Sequence, residues 1–133
     1  MEKEVDIVAL GELLIDFTEA GYGASGMKLF EQNPGGAPAN LLTVVSHMGF
    51  KTSFIGKVGN DMHGLFLKRT LEQEGIGTDS LIVDDSVFTT LAFVEIDKNG
   101  ERTNDPNQMT FQNPHAHVMV TMRPLSVSGK WES

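Results

Sequence analysis

The chain has 133 residues, 40% hydrophobic and 21% charged, a composition typical of a globular protein with a buried core and not of a disordered segment. Eighteen acidic residues against ten basic ones give a formal net charge of −8, which disfavours nucleic acid or an anionic membrane surface as a partner. The sequence has no cysteine, no apolar run long enough to cross a membrane and no secretory leader, so we expect a cytoplasmic protein without disulfides.

Short apolar runs alternate with helix-like segments along the chain. The spacing predicts strands at 5–10, 13–18, 28–33, 52–55, 80–83 and 89–97, and helices at 38–48 and from about 60 to 74. The glycine-rich stretch at 19–27 predicts a hairpin or a flexible turn, and the one at 56–59 predicts a turn. This order favours an α/β core with parallel strands, and the additional extended pieces at about 12–33 and 89–119 predict a separate small sheet. Residues 124–133 lack periodicity and are predicted to be an irregular tail.

The most informative pattern is the segment NPGGAPAN at 33–40, which leads into the first predicted helix. Gly35 and Gly36 allow a ligand to approach the backbone closely, and a helix start offers free N–H groups and a positive dipole end. Asn40 can both donate and accept hydrogen bonds, which suits a sugar. The alternative is that this segment only starts a helix tightly.

Two other patterns carry less weight. The stretch GYGASGMK at 21–28 lacks the GxxxxGK[ST] spacing of a phosphate-binding loop and does not lead into a helix. His115 and His117 would lie on one face of a strand, as a metal site would need, but no third ligand is evident. We therefore predict no metal site.

Four ordered motifs resemble the amino-terminal half of ribokinase-like (PfkB-type) carbohydrate kinases. They are GELLIDF at 11–17, NPGGAPAN at 33–40, GKVGNDMHG at 56–64 and TTLAFVEIDKNGER at 89–102. Phe30 before NPGGAPAN, together with TTLAFV, is most similar to fructokinases. The resemblance implies an incomplete Rossmann-like three-layer α/β domain over residues 1–123, with a small β-sheet lid formed by the segments at 12–33 and 89–119.

The resemblance also implies a set of substrate-binding residues. Asp16 occupies the position of an aspartate that hydrogen-bonds sugar hydroxyls, and Gly35, Gly36 and Asn40 match sugar-contacting positions. Lys57 belongs to the same signature and either places a cation near the substrate or is a solvated residue at a strand end. Phe93 lies on the second lid segment, where one face turns to the sugar and the other packs in the core; both alternatives stay open. Asp61 or Asn60 is expected to cap a helix.

In this family the catalytic aspartate lies in a Gly-Ala-Gly-Asp type motif of the carboxyl-terminal half, and no such motif occurs in these residues. We therefore assign no catalytic residue and expect this chain alone to be inactive. ATP and Mg²⁺ are the implied cofactors of the full-length enzyme, and neither is expected to bind this chain tightly. The segment after residue 102 departs from the family pattern, because Gln112 and His117 stand where fructokinases have arginine and aspartate.

The sequence thus predicts the sugar-binding portion of an ATP-dependent carbohydrate kinase, with fructose as the sugar and a homodimer formed through the lid. Two alternatives remain open. One is a non-catalytic module that binds sugar or dimerises through the lid, and the other is a kinase of another sugar or a nucleoside.

Overall fold

The computed structural model describes residues 5–96, 99–101 and 110–111 of the chain. Their strands and helices, in chain order, are β1 Ile7–Leu10, β2 Leu14–Tyr22, β3 Lys28–Gly35, α1 Ala37–His47, β4 Thr52–Gly59, α2 Met62–Gln73, β5 Ile76–Gly77, β6 Leu81–Asp84, β7 Leu91–Val94 and β8 Thr110–Phe111. Both helices lie where the periodicity of the sequence predicts them.

The core sheet is built around β4 and is parallel throughout. Its first half pairs with β1 on one side, from Ile7↔Thr52 to Leu10↔Ile55, and with the short β5 on the other. Its second half pairs with β6. The predicted α/β core with parallel pairing is therefore confirmed.

Both helices cover the same face of this sheet. Alternation along β4 turns Phe54 and Val58 towards Leu42 of α1 and Leu67 of α2, and each of these four side chains is at most 1% exposed. Burying four such side chains stabilises the fold by about 1.5–3 kcal/mol apiece. The opposite face carries Val8 and Leu10 of β1, which remain about half exposed.

A second, separate sheet forms the lid. Its strand order is β3-β2-β7-β8, with antiparallel pairing at both ends and a parallel pair, β2 with β7, in the middle. The predicted small sheet is thus present. Residues 112–119 of the second predicted lid segment and the predicted tail at 124–133 lie outside the described residues.

The turn predicted at 56–59 is wrong, because these residues are the second half of β4. They pair in register with β6, from Gly56↔Leu81 to Gly59↔Asp84, and this pairing outweighs the weak strand preference of glycine. Glycine is needed at Gly56 because a Cβ there would collide with the ring of Phe54.

Asp61 and Thr89 join the core sheet to the lid. Asp61 caps α2, and its Oδ1 accepts a hydrogen bond from the backbone N–H of Gly64 at 2.7 Å. The same carboxylate accepts the backbone N–H of Thr89 at 2.9 Å and the Thr89 hydroxyl at 2.7 Å. The Thr89 hydroxyl oxygen in turn accepts the backbone N–H of Gly59, at the end of β4. One carboxylate therefore fixes the start of α2 against the segment that enters β7.

The same contacts change the acidity of Asp61. Burial of the carboxyl opposes ionisation, but hydrogen bonds from the backbone of Thr89 and Gly64 and from the Thr89 hydroxyl outweigh it and lower the pKa of Asp61 below its ordinary value of 3.8. A lowered pKa in the folded state means that Asp61 stabilises the fold above the pKa that it has in the unfolded chain.

Replacing Asp61 with alanine should lower the free energy of unfolding at pH 7 by about 1–2 kcal/mol, because the helix cap is lost and partly buried N–H groups are left without an acceptor. Urea unfolding of the 133-residue chain measures this difference. Asp79→Ala, which removes an exposed turn carboxylate, is the matched control and should change stability little. As the pH falls below 3.8 and through the lowered pKa of Asp61, the difference in unfolding free energy between the wild type and Asp61→Ala should shrink. A difference that stays constant from pH 7 to pH 3 would contradict this account.

Candidate sugar-binding site

The two faces of the lid sheet differ in what they contact. Asp16 of β2 pairs with Asn33 of β3 and with Ala92 of β7, so these three side chains lie on one face. Ile15 and Phe17, the neighbours of Asp16 in the strand, point to the other face. Since Ile15 is fully buried, that other face is the one that packs against the core.

Aromatic contacts hold this packed face on α2. The Phe17 ring stacks on Phe93 with centroids 5.1 Å apart and meets the edge of His63 of α2 at 5.6 Å. The side-chain amide of Gln32 donates a hydrogen bond to Nδ1 of His63 at 3.1 Å, and Phe30 meets Phe93 edge-on at 5.7 Å. Such aromatic pairs each add roughly 0.5–1.5 kcal/mol beyond area burial.

These contacts place Phe93 in an aromatic cluster with Phe17 and Phe30. Its side chain lies on the face opposite Asp16, because the residue that pairs with Asp16 is Ala92 and successive side chains alternate. This geometry favours the packing alternative for Phe93, and its contact with a sugar stays a prediction.

Asp16 lies directly over Gly35. A Cβ at Gly35 would come within 2.5 Å of Oδ2 of Asp16 and 2.8 Å of Cδ1 of Leu14, so any larger residue would displace the carboxylate. Asp16 is half-buried, and within the described part of the chain its carboxylate has no hydrogen-bond or ion-pair partner. Its acceptor sites are therefore available to a ligand.

Gly36 begins α1 in a conformation that favours glycine. Its φ is 118°, and a Cβ would collide with the backbone carbonyl oxygen of Glu12. No side chain caps the helix, so among the described residues the N–H groups of Ala37 and Ala39 have no acceptor. Gly35 and Gly36 thus bring free helix N–H donors close to the carboxylate of Asp16.

Asn40 lies on the first turn of α1, three residues beyond its start. It is exposed, and its side-chain amide has no partner among the residues that the structure describes. With Gly35 it lines a cleft of about 200 Å³ between α1 and α2. Gly35 and Asn40 therefore line the same cleft, and their contact with a sugar stays a prediction.

Lys57 is engaged elsewhere. It points to the face of β4 opposite Phe54 and Val58, and its Nζ lies 3.3 Å from Oδ2 of Asp84. Hydrogen bonds from the hydroxyl and backbone N–H of Ser86, followed by the contact with Lys57, lower the pKa of Asp84 to about 2. The ammonium of Lys57 thus has an anionic partner within the chain, and its contact with the substrate stays a prediction.

The sequence did not single out Asn33, Thr18 and Ala92, which the structure places on the same face as Asp16. A side-chain N–H of Asn33 donates to the hydroxyl oxygen of Thr18 at 3.4 Å. Alternation along β2 could have placed Thr18 there, but Asn33 and Ala92 depend on the register between strands, which no local pattern specifies.

Among the described residues, no three histidine, aspartate or glutamate side chains converge as metal ligands would. His115 and His117 lie outside the described residues. No helix in the described part is long and apolar enough to span a membrane.

Comparison with known proteins identifies the family. The family model for pfkB family carbohydrate kinases matches residues 5–121. The chain belongs to this family. Fructokinase-1 of Zea mays is 37% identical over 123 residues, which are 91% of this chain and 37% of that protein. Probable fructokinase-5 of Arabidopsis thaliana is 38% identical over 122 residues, or 90% and 36% of the two chains.

Solved structures agree with this assignment to the pfkB family. The fructokinase of Xylella fastidiosa superposes with a TM-score of 0.73 at 35% identity, over 86% of this chain and 34% of that one. Its structure with bound ATP gives a TM-score of 0.70. The predicted ribokinase-like fold and the similarity to fructokinases are therefore confirmed. The chain spans between 34% and 37% of the length of these relatives.

Replacing Gly36 with alanine tests the start of α1. The positive φ and the collision with Glu12 should together cost about 2–3 kcal/mol of unfolding free energy. Gly26→Ala is the matched control, because Gly26 also has a positive φ, of 77°, but nothing lies within 4 Å of its added Cβ. It should therefore cost only about 1 kcal/mol. Equal losses in urea unfolding for the two variants would show that Glu12 does not restrict Gly36.

Proposed function

We propose that this chain is the amino-terminal, sugar-binding portion of an ATP-dependent carbohydrate kinase of fructokinase type, with fructose as its sugar. The names of the relatives support the class of substrate. The observation that carries the proposal is the carboxylate of Asp16, which lies over Gly35 without a partner among the described residues.

The chemistry of this carboxylate suits a polyhydroxylated ligand. An ionised carboxylate only accepts hydrogen bonds, and each sugar hydroxyl has one hydrogen to donate. Hydrogen bonds to charged groups contribute about 1.5–3 kcal/mol each, roughly twice as much as those between neutral groups. The carboxylate of Asp16 can therefore bind two hydroxyls of one sugar, and each of these hydrogen bonds contributes more binding free energy than a hydrogen bond between neutral groups.

The first turn of α1, which follows Gly35 and Gly36, supplies donors as well. The free N–H groups at the start of α1 and the side-chain amide of Asn40 can donate to the lone pairs of the sugar oxygens. Gly35 and Gly36 keep this part of the backbone free of side chains, so a ring can approach it closely.

The face of the lid sheet that carries Asp16 lies opposite the face that packs on α2. Because Phe17 and Gln32 fix one face of the sheet on α2, the face of Asp16 is left for the ligand. A sheet that covers the sugar excludes water, which would otherwise compete as the phosphoryl acceptor.

The full enzyme would transfer the terminal phosphoryl group of ATP to a sugar hydroxyl. ATP would supply that group and Mg²⁺ would neutralise its charge, and the solved relative with bound ATP supports the choice of nucleotide. No catalytic residue is assigned in this chain, whose part is to hold and orient the sugar.

The Asp16→Ala variant should bind fructose at least about tenfold more weakly than the wild type, because one charged hydrogen bond accounts for more than the ~1.4 kcal/mol that a tenfold change requires. Isothermal titration calorimetry with D-fructose measures the affinities. Glu31→Gln removes another carboxylate from the same face of the lid, nearer its tip, and should leave the affinity unchanged. Equal affinities for the wild type and Asp16→Ala would remove Asp16 from the site.

A coupled assay with fructose, ATP and Mg²⁺ should show no turnover by this chain above the background without protein. A fructokinase assayed in parallel shows that the coupling system works. Turnover that scales with the concentration of this chain would overturn the proposal that it only binds the sugar.

A further inference from the structure

Two polar side chains lie beside Asp16 on the free face of the lid sheet. Asn33 is directly opposite Asp16 across the β2–β3 pair, and Thr18 is the next residue along β2 on that face. Opposed Cβ atoms in such a pair are about 4.5–5.5 Å apart, so the Asn33 amide and the Asp16 carboxylate can reach neighbouring hydroxyls of one small ligand.

The amide of Asn33 has unused hydrogen-bonding capacity. It offers two N–H donors and one carbonyl oxygen, and among the described residues only one donor has a partner, the hydroxyl oxygen of Thr18. That contact is 3.4 Å long, beyond the 2.7–3.2 Å of ordinary N–H···O bonds, and therefore adds little to lid stability. It does orient the amide along the face that carries Asp16.

We infer that Asn33, oriented by Thr18, is a second sugar-recognition residue that binds a hydroxyl next to the one held by Asp16. This inference rests on the proposed sugar-binding function. The two side chains are complementary, since a carboxylate takes only the hydrogens of sugar hydroxyls, whereas the amide of Asn33 also donates to their oxygen lone pairs. Together they distinguish the position of a hydroxyl on the ring, which one acceptor alone cannot do.

The test is calorimetry of the 133-residue chain with D-fructose and with a set of monodeoxy fructoses. Asn33→Ala should weaken fructose binding by about tenfold, as expected for one hydrogen bond between ligand and protein. Asn33→Asp keeps the size of the side chain but has no N–H donor, so it should weaken binding as well. It provides a second test of the same donor if the alanine variant fails to fold. Thr18→Val should give a smaller loss, and Ser25→Ala, in the turn between β2 and β3, should give none.

The deoxy sugars separate direct recognition from a structural role. If Asn33 binds one hydroxyl, the analogue that lacks this hydroxyl should bind the wild type more weakly, and Asn33→Ala should cause no further loss with that analogue. A variant that weakens every analogue by the same factor would assign Asn33 a structural role and overturn the inference.

Two further outcomes tell this inference apart from the proposed function. If Asp16→Ala loses affinity for fructose while both Asn33 variants bind as the wild type does, only the inference about Asn33 fails. If the wild type binds no fructose, the proposed function fails and the inference fails with it.

Discussion

The position of the lid depends on the hydrogen bonds that Asp61 makes with Thr89. This carboxylate caps α2, while the Thr89 hydroxyl also accepts the N–H of Gly59 at the end of β4, so three segments of the chain meet within hydrogen-bonding distance. Thr89 comes just before β7, whose pairing with β2 fixes which side chains share a face with Asp16. The junction requires glycine on both sides. A Cβ at Gly64 would collide with the carbonyl oxygen of Gly59, and a Cβ at Gly59 would come within 2.5 Å of the carbonyl oxygen of Val87.

A second set of contacts determines which face of the lid is free. Phe17 and Gln32 contact His63 of α2, so the face that carries them is partly covered by this helix. Asp16, one residue before Phe17, necessarily points the other way. The orientation of Asp16 is thus a consequence of the packing on the opposite face of the sheet. Substitutions that weaken this packing would shift the face that carries Asp16, although they change no residue on that face.

The sequence predicted which helices and strands are present better than it predicted which face of a sheet each side chain lies on. Helical periodicity and flanking glycines were sufficient for α1 and α2, and the motifs were sufficient for the family. Period-two alternation puts Phe93 and its neighbour Ala92 on opposite faces of the strand. Which of the two faces packs depends on the register of β7 with β2 and on the position of α2, and neither can be inferred from the alternation. The turn predicted at 56–59 failed for a related reason, since pairing with β6 is a long-range interaction.

The distribution of charge favours a neutral sugar as the ligand. The nearest basic candidate from the sequence, Lys57, is paired with Asp84, and within the described residues no cation neutralises Asp16. Two like charges 4 Å apart repel by about 4 kcal/mol where the effective dielectric constant is near 20, more than one charged hydrogen bond contributes. A sugar acid or a sugar phosphate with its anionic group near Asp16 would therefore bind poorly, whereas a neutral ketose meets no such penalty.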